Sequence, residues 1–521
     1  MESPATESPA PRLPAPQPAV PPDARRRLAV PLPLVVVLTV QAVLSGRLLH
    51  ANTAFGDEAL NLWAGRLEWA HWLHGASIPA FTTWFSGSPV LYPPIGSLAD
   101  SAGGLAGARI LSLGFMLAAT CLLWGTAARL YGRASAFFAS ALFAVLGPTL
   151  HLGAFATAEP MAMFLMALAA WCACGGRERE GAVGWILAAA AALALANATE
   201  YASAIFDPVV VLMAVLSGYP RPGGKAALSR GALLLAGLVA GLAVLLRLGG
   251  SWYLTGVGRI TAMRPDGAAP VARMLADSWD WTGVVLAAAL AGVVLTAVAS
   301  RSRASLGLIG ALAAAGLLAP AEQALTHTTV TLNNHADFGA WLAAIAAGYA
   351  AARLVGWLRP RYARVWATLG LVAAVIPAAA AGIGQAWGMT AWPGAAGLVA
   401  YLQPLTDHGG RFLAETDDVP EYYLPRTSWR QWSNMASITL PDGRLQDARN
   451  DPARYAREIS QHYFSLVILS FAQTSAVDRD IVRDLSVTPG YRVAKRVPWG
   501  GPGGGEYTVW KYAAAGRRGA G

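Results

Sequence analysis

Charge is what this sequence has least of. Only 13% of its 521 residues are Asp, Glu, Lys or Arg, against about 25% in an ordinary soluble domain. Hydrophobic residues make up 55% of the chain and the mean hydropathy is +0.42, which excludes a soluble globular protein. Cysteine is also scarce. Cys121, Cys172 and Cys174 all lie within or at the end of apolar runs, with no CxxC or Cys/His spacing, so a disulfide framework and a local zinc motif are excluded. The glycine-rich stretch "WGGPGGGEY" lacks P-loop and Rossmann spacing, so it is no phosphate cradle. The formal charge of +9 does not point to nucleic acid, because the basic residues are scattered in short clusters rather than gathered in a patch. There is no short solenoid repeat.

What the sequence does have is long apolar runs. About eleven reach membrane-spanning length: 29–49, 105–129, 134–151, 157–174, 182–199, 202–217, 230–248, 282–299, 304–320, 338–354 and 364–386. With the N-terminus inside, the basic clusters alternate with the runs. Arg129 and Arg133, Arg177 and Arg179, Arg221 with Lys225 and Arg230, Arg301 and Arg303, and Arg353 through Arg364 all fall on the cytoplasmic side, as the positive-inside rule requires. The fold expected is therefore mainly α: a polytopic membrane bundle with a small exterior α/β domain.

Residues 1–28 form a Pro-rich, disordered cytoplasmic tail, and the first run is an uncleaved anchor. Residues 29–386 form the membrane domain, with a large first exterior loop at 50–104. Residues 387–521 form the exterior domain, with strands at "GRFLAET" and "FSLVILSF", a helix at "DPARYAREISQHY" and a closing hairpin.

This topology puts "GDEA", with Asp57 and Glu58, at the outer membrane surface. Neighbouring residues on a helix project about 100° apart, so the two acids are expected to differ in role, with Glu58 orienting a neighbour or pairing with an arginine. The stretch from Leu60 to Leu73 reads as an amphipathic surface helix. Glu159 lies at the outer mouth of the fourth run, with Glu200 and Asp207 at the next two. A carboxylate at the edge of hydrocarbon is a functional candidate. Arg259, Arg264 and Arg273, in one outer loop, have the guanidinium fork that suits a phosphate; pairing with Asp266 and Asp277 is the rival reading. His71 and His74 are one turn apart and suit a divalent metal, or simply a polar helix face. No cofactor is expected and no metal ligands are assigned. Tyr422, Tyr423, Trp429 and Trp432 are core residues or a stacking surface.

The acidic pair, then "YPP" at Tyr92–Pro94, then "TAEP" at Thr157–Pro160, resembles the C-type glycosyltransferases. More narrowly, the pattern is similar to the dolichyl-phosphate-mannose:protein mannosyltransferases and their bacterial relatives, including the aminoarabinose transferases. "NATEYASAIFDPVVV" and "TLNNHADFGAWLAAIAAGYAAARL" also resemble later helices of the bacterial branch.

The resemblance implies transfer of a sugar from a polyprenyl-phosphate donor to a glycan, lipid or protein acceptor at the outer face of the plasma membrane. Asp57, Glu58 and Glu159 take the catalytic positions. Tyr92, Tyr201, His335 and the three loop arginines take the substrate-binding ones. Glu200 departs from the pattern, since relatives commonly have Lys beside the lipid phosphate. A polytopic transporter or lipid flippase is the alternative. It would place its polar groups along a path through the midplane, whereas here they gather in outer loops and helix mouths.

Overall fold

The computed structural model describes residues 31–80, 84–175, 182–217, 223–249, 254–258, 267, 269–299, 302–329, 331–407, 409–449, 451–500 and 504–513. Helices dominate it: α1 (Leu32–Gly46), α2 (Gly56–His74), α3 (Tyr92–Tyr131), α4 (Arg133–Phe143), α5 (Gly147–Leu152), α6 (Ala158–Ala173), α7 (Ala182–Thr199), α8 (Asp207–Leu216), α9 (Gly223–Gly249), α10 (Val271–Ala299), α11 (Arg303–Thr326), α12 (Leu332–Trp357) and α13 (Arg361–Gly388). Among the described residues, seven helices are long and apolar enough to cross a membrane, and four shorter ones are apolar. Together they match the eleven runs read from the sequence one for one.

The bundle packs around α12, whose residues Asp337 to Gly348 are all buried. Small residues allow this closeness, as is general for helices in lipid. A Cβ on Gly339 would meet the Ala315 carbonyl and one on Gly348 the Ser135 carbonyl. Trp341 is sealed in the middle and donates from Nε1 to the Ala119 carbonyl at 2.9 Å.

Two features of the α1–α3 segment differ from expectation. The helix α3 begins thirteen residues before the predicted span, at Tyr92, and breaks at Gly103–Gly104 before continuing through the apolar run. The helix α2 is not a surface helix over its first half, where every residue from Glu58 to Gly65 is buried. The start of α3 covers it so closely that a Cβ on Gly65 would collide with the Pro93 carbonyl. A C-terminal helix covers it from the other side. Apart from Asp57 in the first turn, exposure is confined to the last turn, from His71 to His74, which closes on Gly75 in the left-handed conformation (φ 66°).

After α13 the chain forms α14 (Ala396–Thr406), β1 (Phe412–Ala414), α15 (Asp418–Tyr423), β2 (Trp432–Ser433), β3 (Ser437–Thr439), β4 (Leu445–Asp447), α16 (Pro452–Ser460), β5 (Leu466–Leu469), α17 (Ser475–Val487), β6 (Tyr491–Pro498) and β7 (Glu506–Tyr512). The main sheet has the order β2-β1-β5-β7-β6. Its β2, β1 and β5 run parallel, with β7 and β6 added as an antiparallel hairpin.

This sheet unit sits on the loop end of the bundle. Asn52 Nδ2 donates to the Thr390 and Trp392 carbonyls at 3.0 and 2.8 Å, and Trp392 Nε1 donates to the Thr53 carbonyl at 2.9 Å. Tyr422 OH donates to Asp100 Oδ1 at 2.6 Å. Arg66 in turn holds Asp100 Oδ2 at 2.5 Å and donates to the Tyr422 carbonyl at 2.9 Å. Tyr422 and Trp432 are buried, while Tyr423 and Trp429 are half-buried against α2. These aromatics are packing residues rather than an open stacking surface.

Candidate active site

The two adjacent acids point in different directions. Glu58 is fully buried and binds Arg109 with both oxygens, from Nε at 2.8 Å and Nη2 at 2.6 Å. The amides of Ala156 and Phe55 add further bonds at 2.9 and 3.1 Å, the latter reaching back from the third helical position in the manner of a capping box. Arg109 uses its remaining donors on the carbonyls of Leu49, Asn52 and Thr53. One ion pair thus fixes the α1–α2 loop, the start of α2, the loop before α6 and the middle of α3. Glu58 does pair with an arginine, but that arginine lies inside an apolar run. A lone charge there was the available signal, and the sequence reading passed over it.

Asp57 is exposed at its tip and takes no side-chain hydrogen bond from any described residue. Its backbone carbonyl is held by Asn61 Nδ2 at 2.8 Å. Its neighbour Gly56 lines a cavity shared with Phe55, Trp392 and Val419. Burial by the surrounding protein, then the charges of Glu159 and Glu58, push its pKa up to about 7.

Glu159 is buried on the first turn of α6, where the helix dipole favours an anion, and Asn334 Nδ2 donates to its Oε1 at 2.8 Å. Glu200 caps the 3-10 turn Tyr201–Phe206 and takes the Ser86 hydroxyl at 2.6 Å, with His335 Nε2 at 3.8 Å. From the sheet unit, Asp418 Oδ2 would lie 3.9 Å from a Cβ on Gly56. Burial, then the charges of Asp417 and Asp57, push the Asp418 pKa well above the ordinary range. Five segments far apart in sequence therefore bring Asp57, Glu159, Glu200, His335 and Asp418 together.

The remaining predicted residues fare unevenly. Tyr92 is completely buried at the start of α3, with its hydroxyl 3.5 Å from Ser112 Oγ. Tyr201 is half-buried and its amide donates to the Ser86 carbonyl at 2.7 Å. The side chain of Arg273 is 73% exposed and lies 3.7 Å from Asp277, which is the rival reading of that residue. Arg259 and Arg264 lie outside the described residues. His71 Nδ1 is 2.8 Å from the Ala76 carbonyl. Among the described residues, no group of three or more His, Cys, Asp or Glu side chains is placed to hold a metal ion.

No family model and no curated protein sequence matches the chain. Solved structures do. The aminoarabinose transferase ArnT from Cupriavidus metallidurans, bound to undecaprenyl phosphate, superposes with a TM-score of 0.59 at 16% identity, covering 92% of this chain and 98% of its own. The archaeal oligosaccharyltransferase AglB from Archaeoglobus fulgidus, with an inhibitory peptide and a dolichol-phosphate, gives 0.57 at 12% identity over 88% of this chain and 72% of its own. Another AglB structure contains zinc and sulfate. The mycobacterial arabinofuranosyltransferase AftD gives 0.52 at 17% identity over 92% of this chain and 41% of its own. At these identities the likeness is one of fold, and the fold of this chain is that of the C-type membrane glycosyltransferases.

Proposed function

We propose that the protein is a membrane glycosyltransferase that moves a sugar from a polyprenyl-phosphate carrier to an acceptor hydroxyl at the outer face of the plasma membrane. The observation that carries this reading is Asp57. It is a carboxylate with no side-chain hydrogen bond from any described residue, shifted toward neutrality and next in sequence to the buried Glu58–Arg109 pair. Solved structures of the same fold contain undecaprenyl phosphate or dolichol-phosphate.

In the step proposed, Asp57 takes the proton of the acceptor hydroxyl as its oxygen bonds to the anomeric carbon. The bond from that carbon to the phosphate oxygen breaks, and the polyprenyl phosphate leaves with the electron pair. Attack opposite the leaving group inverts the anomeric centre. A general base suffices because the phosphate is already a fair leaving group. Arg259, Arg264, Arg273 and His335 are the cations proposed to stabilise the departing phosphate. Glu58 orients the base rather than transferring protons, because its oxygens are already committed to Arg109 and two amides.

The test is transfer itself. Purified protein in proteoliposomes is incubated with undecaprenyl-phosphate sugars, and the products are analysed by mass spectrometry against an Asp57→Asn control. Carrier phosphate released together with a glycosylated acceptor supports the reading. Movement of the intact donor across the bilayer without transfer would establish the flippase alternative. A reporter at Gly521 that is active only in the cytoplasm would refute the outer-face assignment.

A further inference from the structure

A cavity lies where the sheet unit meets the bundle, and the reaction above does not use it. Its walls include Phe55 and Gly56 at the start of α2, Trp392 after α13, and Ile468 and Tyr507 of the sheet. Two of the rings are tied in place. Trp392 donates from Nε1 to the Thr53 carbonyl at 2.9 Å, and Tyr507 donates from its hydroxyl to the Pro393 carbonyl at 3.2 Å. Rings already ordered lose little freedom when a ligand settles against them. The polar groups of the lining are of two kinds. Glu415 and the amides of Ser470, Ala472 and Gln473 are bonded to each other. The hydroxyl of Thr416 and the side-chain amide of Gln473 make no hydrogen bond with any described residue. No Lys, Arg or His lines the cavity and its one carboxylate is spent, so a charged ligand would be left without a partner. A peptide would need main-chain partners, and the amides at this strand end already serve Glu415. Aromatic walls with a spare hydroxyl and a spare amide suit a neutral sugar ring, which is apolar on its C–H face and polar at its rim.

We infer that this cavity holds the acceptor, and that the acceptor is a neutral sugar whose ring packs against Phe55, Trp392 and Tyr507 while its hydroxyls reach Thr416 and Gln473. The inference rests on the proposed glycosyl transfer and adds to it the acceptor's place and chemical class. The place follows from the chain itself. Gly56 lines the cavity, and Asp57, the proposed base, is the next residue. The charge of Asp57 also acts on Asp418, which adjoins Val419 of the cavity wall. A sugar seated there offers a hydroxyl to the base from the sheet side and leaves the bundle side to the lipid-linked donor.

The test uses the full chain in proteoliposomes with undecaprenyl-phosphate sugars as donors. The acceptors are disaccharides of mannose, arabinose or galactose, the same sugars on a lipid anchor, and a peptide containing Ser and Thr. Transfer to a sugar acceptor is expected, and the free and anchored forms show whether the recognised ring belongs to a glycan or a glycolipid. Ala472→Trp, at an exposed position of the lining, should raise the acceptor KM by about tenfold or more while the donor KM stays the same. Thr416→Val, which removes one hydrogen-bonding group, should raise it about two- to tenfold, and Thr416→Ser should keep the wild-type value. An unchanged acceptor KM in both Ala472→Trp and Thr416→Val, or transfer to the peptide alone, overturns the inference and leaves the glycosyl-transfer reading intact. No transfer by wild type to any acceptor overturns both.

Discussion

On one side of the N-terminus of α2, the carboxylate of Glu58 meets a guanidinium and two amides and is sealed from water. On the other side, one residue away, the carboxylate of Asp57 takes no side-chain hydrogen bond from any described residue and feels the charges of Glu159 and Glu58. The first arrangement holds two loops, the start of α2 and a membrane helix together. The second carries a free-energy cost that folding alone does not explain. The contrast shows how a chain with few charges divides them: paired and buried where geometry must be fixed, unpaired and wet where a proton must move. It also separates two carboxyl groups that a sequence presents as equivalents.

The contrast can be broken most severely from the paired side. Arg109→Leu leaves Glu58 buried without a counter-charge and is expected to cost about 3–5 kcal/mol, read as a lower midpoint in thermal or denaturant unfolding. Arg109→Leu combined with Glu58→Gln should recover much of that loss. Recovery of nothing would show that Arg109 acts mainly through its three carbonyl contacts.

From the unpaired side, Asp57→Asn should lower turnover by about 10²–10⁴ while largely sparing donor KM. Unlike the Arg109 variant, it should not destabilise the fold. Normal turnover in this variant would return Asp57 to a solvated loop residue.

The two sides should also separate in pH. With its pKa near 7, Asp57 must lose its proton to act as a base, so the rate is expected to drop about tenfold per pH unit below 7. Stability runs the other way. A carboxyl with a raised folded pKa stabilises the native state at low pH, and that contribution disappears as pH rises through 7. Asp57→Asn should therefore gain in melting temperature over wild type between pH 4 and pH 8, and the reverse trend would contradict the assigned shift.

The smallest effect belongs to the clamp between the sheet unit and α2. Tyr422→Phe removes one hydrogen bond to the Asp100 carboxylate and should cost about 1.5–3 kcal/mol, with the Asp57 pH limb unmoved. A shifted limb would mean that the clamp helps set the cleft.

Much of this was legible in the sequence because its largest signals are periodic or additive. Apolar runs and basic clusters gave the helices and their order. The hydrophobic strands at Phe412–Ala414 and Leu466–Leu469 stood out against a more polar background. The different fates of Asp57 and Glu58 followed from helical geometry. Arg109 was missed because a single charge inside an apolar run does not alter the run. Asp418 was missed because only the docking of the sheet unit brings it to Gly56.

One contact in the sheet unit has a further consequence. Glu415, directly after β1, accepts bonds from the amides of Ser470, Ala472, Gln473 and Thr474 and from the hydroxyls of Ser470 and Thr474. Burial works against its charge, but the bonds from Ser470, Thr474, Gln473 and Ala472 outweigh it and hold the pKa below the ordinary range. This is the crevice at the carboxyl ends of parallel strands, in front of a helix start, where open α/β sheets receive anionic ligands. Here the chain supplies the anion itself. The sheet is its own tenant at those amides, and the cavity that Glu415, Ser470 and Gln473 share with Phe55 and Gly56 is left to ligands that need no anion hole.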